Sequence, residues 1–274
     1  MPLVHRTPDS RFANLPDYPF QPRYHLLREG LRMHYIDEGD AAATPVLMMH
    51  GEPSWSYLYR HMIGPVVEAG YRVLAPDLIG FGKSDKLTRQ SEYSYALHVA
   101  WMRDWVETMD LKNIVLACQD WGSLIGLRLV AEMPERLAFS KHSPIFPVGN
   151  ILQKATVRTL SKAEVSAYDA PFPNRQSKAG ARIFPSLVPL GENEAVPDQL
   201  KAWEVLEKFD KPFTCAFSDK DPITRGGDAK FREKVPGARD NPLHRTLSGH
   251  HFIQEDDPEG FAAVILETAK RSGV

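Results

Sequence analysis

The stretch Val115-Leu116-Ala117-Cys118-Gln119-Asp120-Trp121-Gly122-Ser123-Leu124-Ile125-Gly126 constrains this chain most, because an apolar run ends on an acid and reopens as an amphipathic segment. It reads as a strand, a sharp turn and a helix, with Asp120 at the tip. Residues two before and two after such a tip must be small, since the backbones of strand and helix nearly touch there. Cys118 and Gly122 meet that demand. A carboxylate at the tip is ionised at neutral pH without any base, so it can displace a leaving group from a saturated carbon and become an alkyl ester. The plainer reading is that Asp120 caps the helix that follows, as Asp often does after a strand-to-helix turn. This segment alone does not choose between the two.

Strand-like and helix-like segments alternate over most of the length, the pattern of a mostly parallel central sheet flanked by helices, an α/β fold. Residues 31–35, 46–50, 71–76, 114–119 and 213–218 read as strands. Apolar residues at three- and four-residue spacing predict helices over 57–69, 95–109, 124–132 and 260–270. From about Ser140 to Leu200 the texture changes, as Pro144, Pro147, Pro171, Pro173, Pro185, Pro189 and Pro197 interrupt short helical pieces. That region is a poor sheet candidate and a good lid. The expected division is a core of residues 1–137 and 205–274 with a shortened helical cap over 138–204, inserted after the elbow helix.

A chain of 274 residues can bury one large core, and its 43% hydrophobic and 25% charged residues are those of a soluble globule. A formal net charge of −2 leaves no broad basic surface for a phosphate backbone, so nucleic acid is not an expected partner. No run approaches a membrane span and no signal-like segment opens the chain, so no membrane is expected and the expected location is cytoplasmic. With only Cys118 and Cys215, each in a predicted buried strand, neither a disulfide framework nor a Cys-based zinc site can be built.

A second element, His50-Gly51-Glu52-Pro53-Ser54-Trp55, follows the apolar run Val46-Leu47-Met48-Met49. Open α/β sheets place ligands at such carboxyl ends of strands. Read as a functional turn, it supplies the backbone N–H of Glu52 which, with that of Trp121, stabilises an oxyanion; read plainly, it is a Gly-Pro turn. Gly80-Phe81-Gly82-Lys83-Ser84 is not a phosphate loop, since Asp77 stands where the first Gly is required, and Asp85 replaces the third Gly of a dinucleotide fingerprint. It reads as a structural turn. Asp221 follows the strand over 213–218, and His251 sits in the loop Leu247-Ser248-Gly249-His250-His251-Phe252. Each is commonplace alone, but nucleophile, acid and His in that chain order are the order of an α/β-hydrolase triad. His251 would then draw a proton from the water that splits the ester on Asp120, with Asp221 orienting the ring. Asp219 and His250 are the nearby competitors.

His-Gly-Glu-Pro-Ser-Trp-Ser-Tyr-Leu-Tyr-Arg at 50–60, Gln-Asp-Trp-Gly at 119–122, Asp-Pro-Ile at 221–223, His-Phe-Ile-Gln-Glu at 251–255 and Ala-Tyr-Asp-Ala-Pro-Phe-Pro at 167–173 together resemble the haloalkane dehalogenase family, in its subfamily with a His-Gly-Glu-Pro turn. The resemblance runs from Arg6 to about Glu255. It implies the α/β-hydrolase fold, cleavage of a haloalkane by water to an alcohol and a halide, and Asp120, His251 and Asp221 as nucleophile, base and acid. It also implies Trp121 as a halide-binding residue and a reaction that needs no metal and no organic cofactor. His250, where the family usually has Gly, supports His251 as the base. A monomer or small homo-oligomer is expected.

Two departures stand out. Glu135-Arg136-Leu137 runs almost at once into Ala138-Phe139-Ser140-Lys141, so the core strand expected near 135–141 reads as missing or shortened. No Trp occurs between Trp121 and Trp203, where the relatives carry a second halide-binding Trp. A gap in a parallel sheet would leave unpaired backbone groups costing roughly 1 to 3 kcal/mol each where buried. Two other readings therefore stay open: an epoxide hydrolase, for which the lid region offers only Tyr168 as a donor, and a catalytically impaired α/β-hydrolase that binds a small molecule.

Overall fold

A computed structural model of the chain describes residues 3–133, 137–140 and 152–273. Its frame is a seven-stranded mixed sheet of order β2-β3-β5-β4-β7-β8-β9. A short antiparallel pair lies apart from it, β1 (Val4–His5) with β6 (Lys86–Leu87). Strands β2 (Arg23–Leu26) and β3 (Arg32–Glu38) form an antiparallel pair at one edge, and β3 also runs antiparallel to β5 (Arg72–Pro76). The rest is parallel: β4 (Pro45–Met49) lies between β5 and β7 (Ile114–Cys118), and β8 (Leu137–Ser140) between β7 and β9 (Phe213–Thr214). Strands β4 and β7 are buried at every residue, which is why they read as unbroken apolar runs rather than alternating ones.

The core strand expected to be missing or shortened near 135–141 is present as the four-residue β8, shortened and not missing. Leu137 and Ala138 register with Ile114 and Val115 of β7, and Phe139 and Ser140 with Phe213 and Thr214 of β9. Four residues are enough to satisfy both neighbours, so the sheet is continuous and the unpaired backbone feared there does not arise. Residues 138–140, which the expected boundary gave to the cap, thus belong to the core sheet. Residues 141–151 of the expected cap lie outside the described residues. The strand expected over 213–218 is also divided, at Cys215, into β9 and β10 (Ala216–Ser218), and β10 pairs parallel with β11 (Arg245–Leu247). This break directs the chain away from the main sheet just before the loop that carries Asp221.

Among the described residues, α1 (Arg60–Glu68), α2 (Tyr95–Thr108) and α3 (Trp121–Glu132) border the site. Among the described residues, the chain between β8 and β9 carries helical pieces and no strand, including Lys162–Asp169, Ala179–Ile183 and Val196–Leu206. These lie against the carboxyl end of the sheet: the Trp55 indole N–H donates to the Ala167 carbonyl at 3.3 Å, Phe184 packs on Trp121 and Phe81, and α3 touches Val196–Leu206. Among the described residues no helix is long and apolar enough to cross a membrane.

Candidate active site

The turn between β7 and α3 has the sharpness its sequence predicts. Asp120 sits at φ 61° and ψ −133°, a left-handed conformation costing about 1 to 3 kcal/mol in a non-glycine residue and kept only where the surroundings enforce it. Gly122 makes this possible, since a Cβ there would collide with the Met49 carbonyl of β4. Gly51 does the same for the second turn: a Cβ there would run into the Asp120 side chain. The Asp120 side chain makes no bond capping α3. Its Oδ1 instead accepts the Glu52 N–H at 2.6 Å, and the Trp121 N–H also donates to the carboxylate. The capping reading of Asp120 therefore fails, and the two expected oxyanion donors meet on one side chain.

The loop geometry also separates the competitors. His251 lies with Nε2 3.7 Å from Asp120 Oδ2 and Nδ1 3.0 Å from Asp221 Oδ2. Asp221 is held in turn by the Ile223 N–H at 2.9 Å and by the Thr224 hydroxyl. Asp219 accepts from the Gly249 N–H instead, and His250 uses its backbone N–H on Asp256, so neither joins the cluster. The Gly80–Ser84 segment is the structural turn expected: Gly82 at φ 47° passes so close to Asp77 that a Cβ would occupy the position of its carboxylate, and the Lys83 N–H points at that carboxylate rather than at a ligand. Asp77 also accepts the Ser56 N–H at 2.8 Å, and the His50 ring bridges the Gly51 carbonyl and the Leu78 N–H. Together these bonds fix the turn that carries Glu52.

A family profile described as the alpha/beta hydrolase fold matches residues 44–138. A protein named haloalkane dehalogenase from Psychrobacter cryohalolentis is 46% identical over 96% of this chain and 96% of its own, and one from Mycolicibacterium paratuberculosis is 45% identical over 96% and 97%. The chain belongs to the haloalkane dehalogenase family. The solved structure of the tetrameric haloalkane dehalogenase DpaA from Paraglaciecola agarilytica superposes with a TM-score of 0.86 at 33% identity, covering 98% of this chain and 97% of that one. The alignment with the Psychrobacter dehalogenase runs over 292 positions, more than the 274 residues present, so it contains gaps on this chain's side.

Within this dehalogenase-family site, charge is distributed unevenly. Burial pushes His251 down, but its approach to Asp120, its bond to Asp221 and the charges of both outweigh that and raise it to about 9. Burial works on Asp221 too, yet His251, Thr224 and the Ile223 N–H bring it down to about 2. Burial pushes Asp120 up, opposed by His251 and the two backbone donors. Trp121 is fully buried, edge-on to Phe184 at 4.6 Å and to Tyr95 at 5.5 Å.

Several participants were not legible in sequence. Gln119 places its side-chain nitrogen 2.9 Å from His251 Nε2 and 3.2 Å from the His251 carbonyl, so its amide can donate to the neutral ring or, turned over, accept from the cation. A buried ion cluster joins the helical region after β8 to the base loop. Arg60 donates to both oxygens of Glu255, at 2.5 and 3.1 Å, and to Glu164 at 2.8 Å, while Arg158 reaches both carboxylates and Tyr168 donates to Glu255. His61, Glu164 and Glu255 could converge on a metal ion, with ligand atoms within 4.8 Å of one another, but two guanidiniums already occupy both carboxylates.

Proposed function

We propose that this protein is a hydrolytic dehalogenase, converting a haloalkane and water to an alcohol, a halide and a proton through an ester on Asp120. Asp120 Oδ2, which has no hydrogen bond among the described residues, attacks the carbon bearing the halogen and the halide leaves with the bonding pair. Trp121 is the candidate donor to that halide. His251 then takes a proton from water, which attacks Cγ of the ester. The charge appears on Oδ1, which already accepts the Glu52 N–H, with the Trp121 N–H directed at the same carboxyl group. Collapse releases the alcohol carrying Oδ2 and leaves Asp120 with the oxygen from water. The residues over 152–204 serve as the lid that keeps bulk water from the ester.

Electrostatics times the steps. While Asp120 is ionised, it and Asp221 together hold a proton on His251. Alkylation removes the Asp120 charge, so the ring releases its proton more readily and becomes the base when the ester needs one.

The observation that carries this reading is a carboxylate at a positive-φ elbow, held by two backbone N–H groups and facing a His backed by an Asp. It argues against the epoxide alternative that the Tyr168 hydroxyl, the one tyrosine of the lid region, is committed to Glu255 and Arg60. Strand β8 weakens the impaired-enzyme alternative by restoring the sheet. Incubation with 1,2-dibromoethane or 1-bromobutane should release bromide and alcohol over many turnovers. Diol formation from an epoxide without halide release from either bromide would overturn the proposal.

A further inference from the structure

Glu52 contributes its backbone N–H to Asp120, but its side chain poses a separate question. It is 1% exposed, and among the described residues neither carboxyl oxygen has a hydrogen-bond partner. The charged groups around it are engaged elsewhere or are of its own sign. Asp120, on the elbow, is the like charge that acts on it. His251 is held between Asp120 and Asp221, and the His50 ring of the same turn bonds Gly51 and Leu78. Asp77 is tied to His34, Ser56 and Lys83, and Arg60 faces Glu255 and Glu164. An isolated buried carboxylate is among the costliest groups a fold can hold, and takes up a proton instead. Of two carboxyls sharing one site, the better-solvated one keeps the charge. Asp120 has two N–H donors and a His; Glu52 has none.

We propose that Glu52 works as a protonated carboxylic acid, a charge-free hydrogen-bond donor beside Asp120 that confines the negative charge of the site to the nucleophile. Its O–H would be a donor free to serve charge that develops beside Asp120, a use to which a carboxyl in an apolar setting is suited. Losing that proton would set a second negative charge beside Asp120, repelling the halide as it forms and closing the site at alkaline pH. Burial and the Asp120 charge both favour the neutral form, in that order. This rests on Asp120 as the nucleophile, whereas the protonation state does not.

The test has an arm that needs no turnover. The infrared difference between wild type and Glu52→Gln at pH 7, in light and heavy water, should show a carboxylic-acid carbonyl band in the wild type that the variant lacks and that disappears on alkaline titration. Should the variant not fold, the carbon-13 carboxyl resonance of Glu52 in the wild type reports the same proton, and it should stay in its acid position from pH 5 to pH 7. In the second arm, kcat/KM of the wild type should fall about tenfold per pH unit past its alkaline limb, and Glu52→Gln should lack that limb. An ionised Glu52 at pH 7 overturns the proposal even if the protein dehalogenates well. An alkaline limb unchanged in Glu52→Gln overturns the role while leaving the protonation state standing.

Discussion

Replacing Arg60 with Met should loosen the link between the helices after β8 and the loop that carries His251. The Arg60 side chain is fully buried and donates three hydrogen bonds to two carboxylates, one of them, Glu255, equally buried. The cluster of two guanidiniums and two carboxylates would be left with one cation for two anions. Breaking a buried pair by removing one partner costs about 3 to 5 kcal/mol, because it strands an uncompensated charge. Arg158 still reaches both Glu164 and Glu255, so about 3 kcal/mol is the better expectation. At about 2 to 4 °C per kcal/mol for a chain of this order, Tm should fall by about 6 to 12 °C. Thermal and urea unfolding at pH 7 measure this directly. The double variant Arg60→Met/Glu255→Gln, which also removes the stranded charge, should recover part of the loss. A single-variant loss under about 1 kcal/mol, or a double variant worse than the sum of the singles, would refute the reasoning.

His251→Gln should release about one halide per enzyme and then stall, with alkylated Asp120 visible by mass spectrometry; continued turnover, or a stall in His250→Gln instead, would assign the base wrongly. Trp121→Phe should lower the rate of halide release on the order of a hundredfold or more, the effect of losing one donor to developing charge, and normal chloride binding or activity in that variant would place the halide elsewhere. Stability should follow the same charges. His251, raised from 6.5 to about 9, contributes stability that is fully present below pH 6.5 and is lost between pH 6.5 and 9. Asp221, lowered from 3.8 to about 2, contributes stability present above pH 3.8 and lost as pH falls toward 2. The urea midpoint should therefore decline from pH 6.5 to 9 in the wild type and much less in His251→Gln; parallel curves would contradict this.

The parts of the fold legible in sequence were those whose physics is local. Strands β4, β5 and β7 are continuous apolar runs between turn residues, and their observed ends fall within a residue of expectation. The elbow was legible because Cys118 and Gly122 bracket an acid at a fixed spacing, and the close approach to Met49 and His50 shows why that spacing is needed. Whether β8 is missing or only shortened is not legible in sequence, because four residues between a helix end and a changed texture carry too little periodicity, and its existence is decided by two neighbouring strands with unpaired backbone. The edge strand β2, Arg-Tyr-His-Leu, was missed because it is largely solvent-facing and has no apolar face to betray it. The buried cluster could not have been read at all: Arg60 and Glu255 are 195 residues apart, and each alone reads as surface charge. The Glu52 N–H was foreseeable from its turn, but the state of its carboxyl depends on what surrounds it in space.

The central claim is that a carboxylate of the protein, not water, attacks the substrate. A single turnover of a haloalkane in oxygen-18 water, with enzyme in excess, tests it most directly. Hydrolysis at the acyl carbon of an Asp120 ester predicts oxygen-18 in the peptide bearing Asp120 and unlabelled alcohol. Labelled alcohol with an unlabelled Asp120 would mean direct attack by water and would contradict the account.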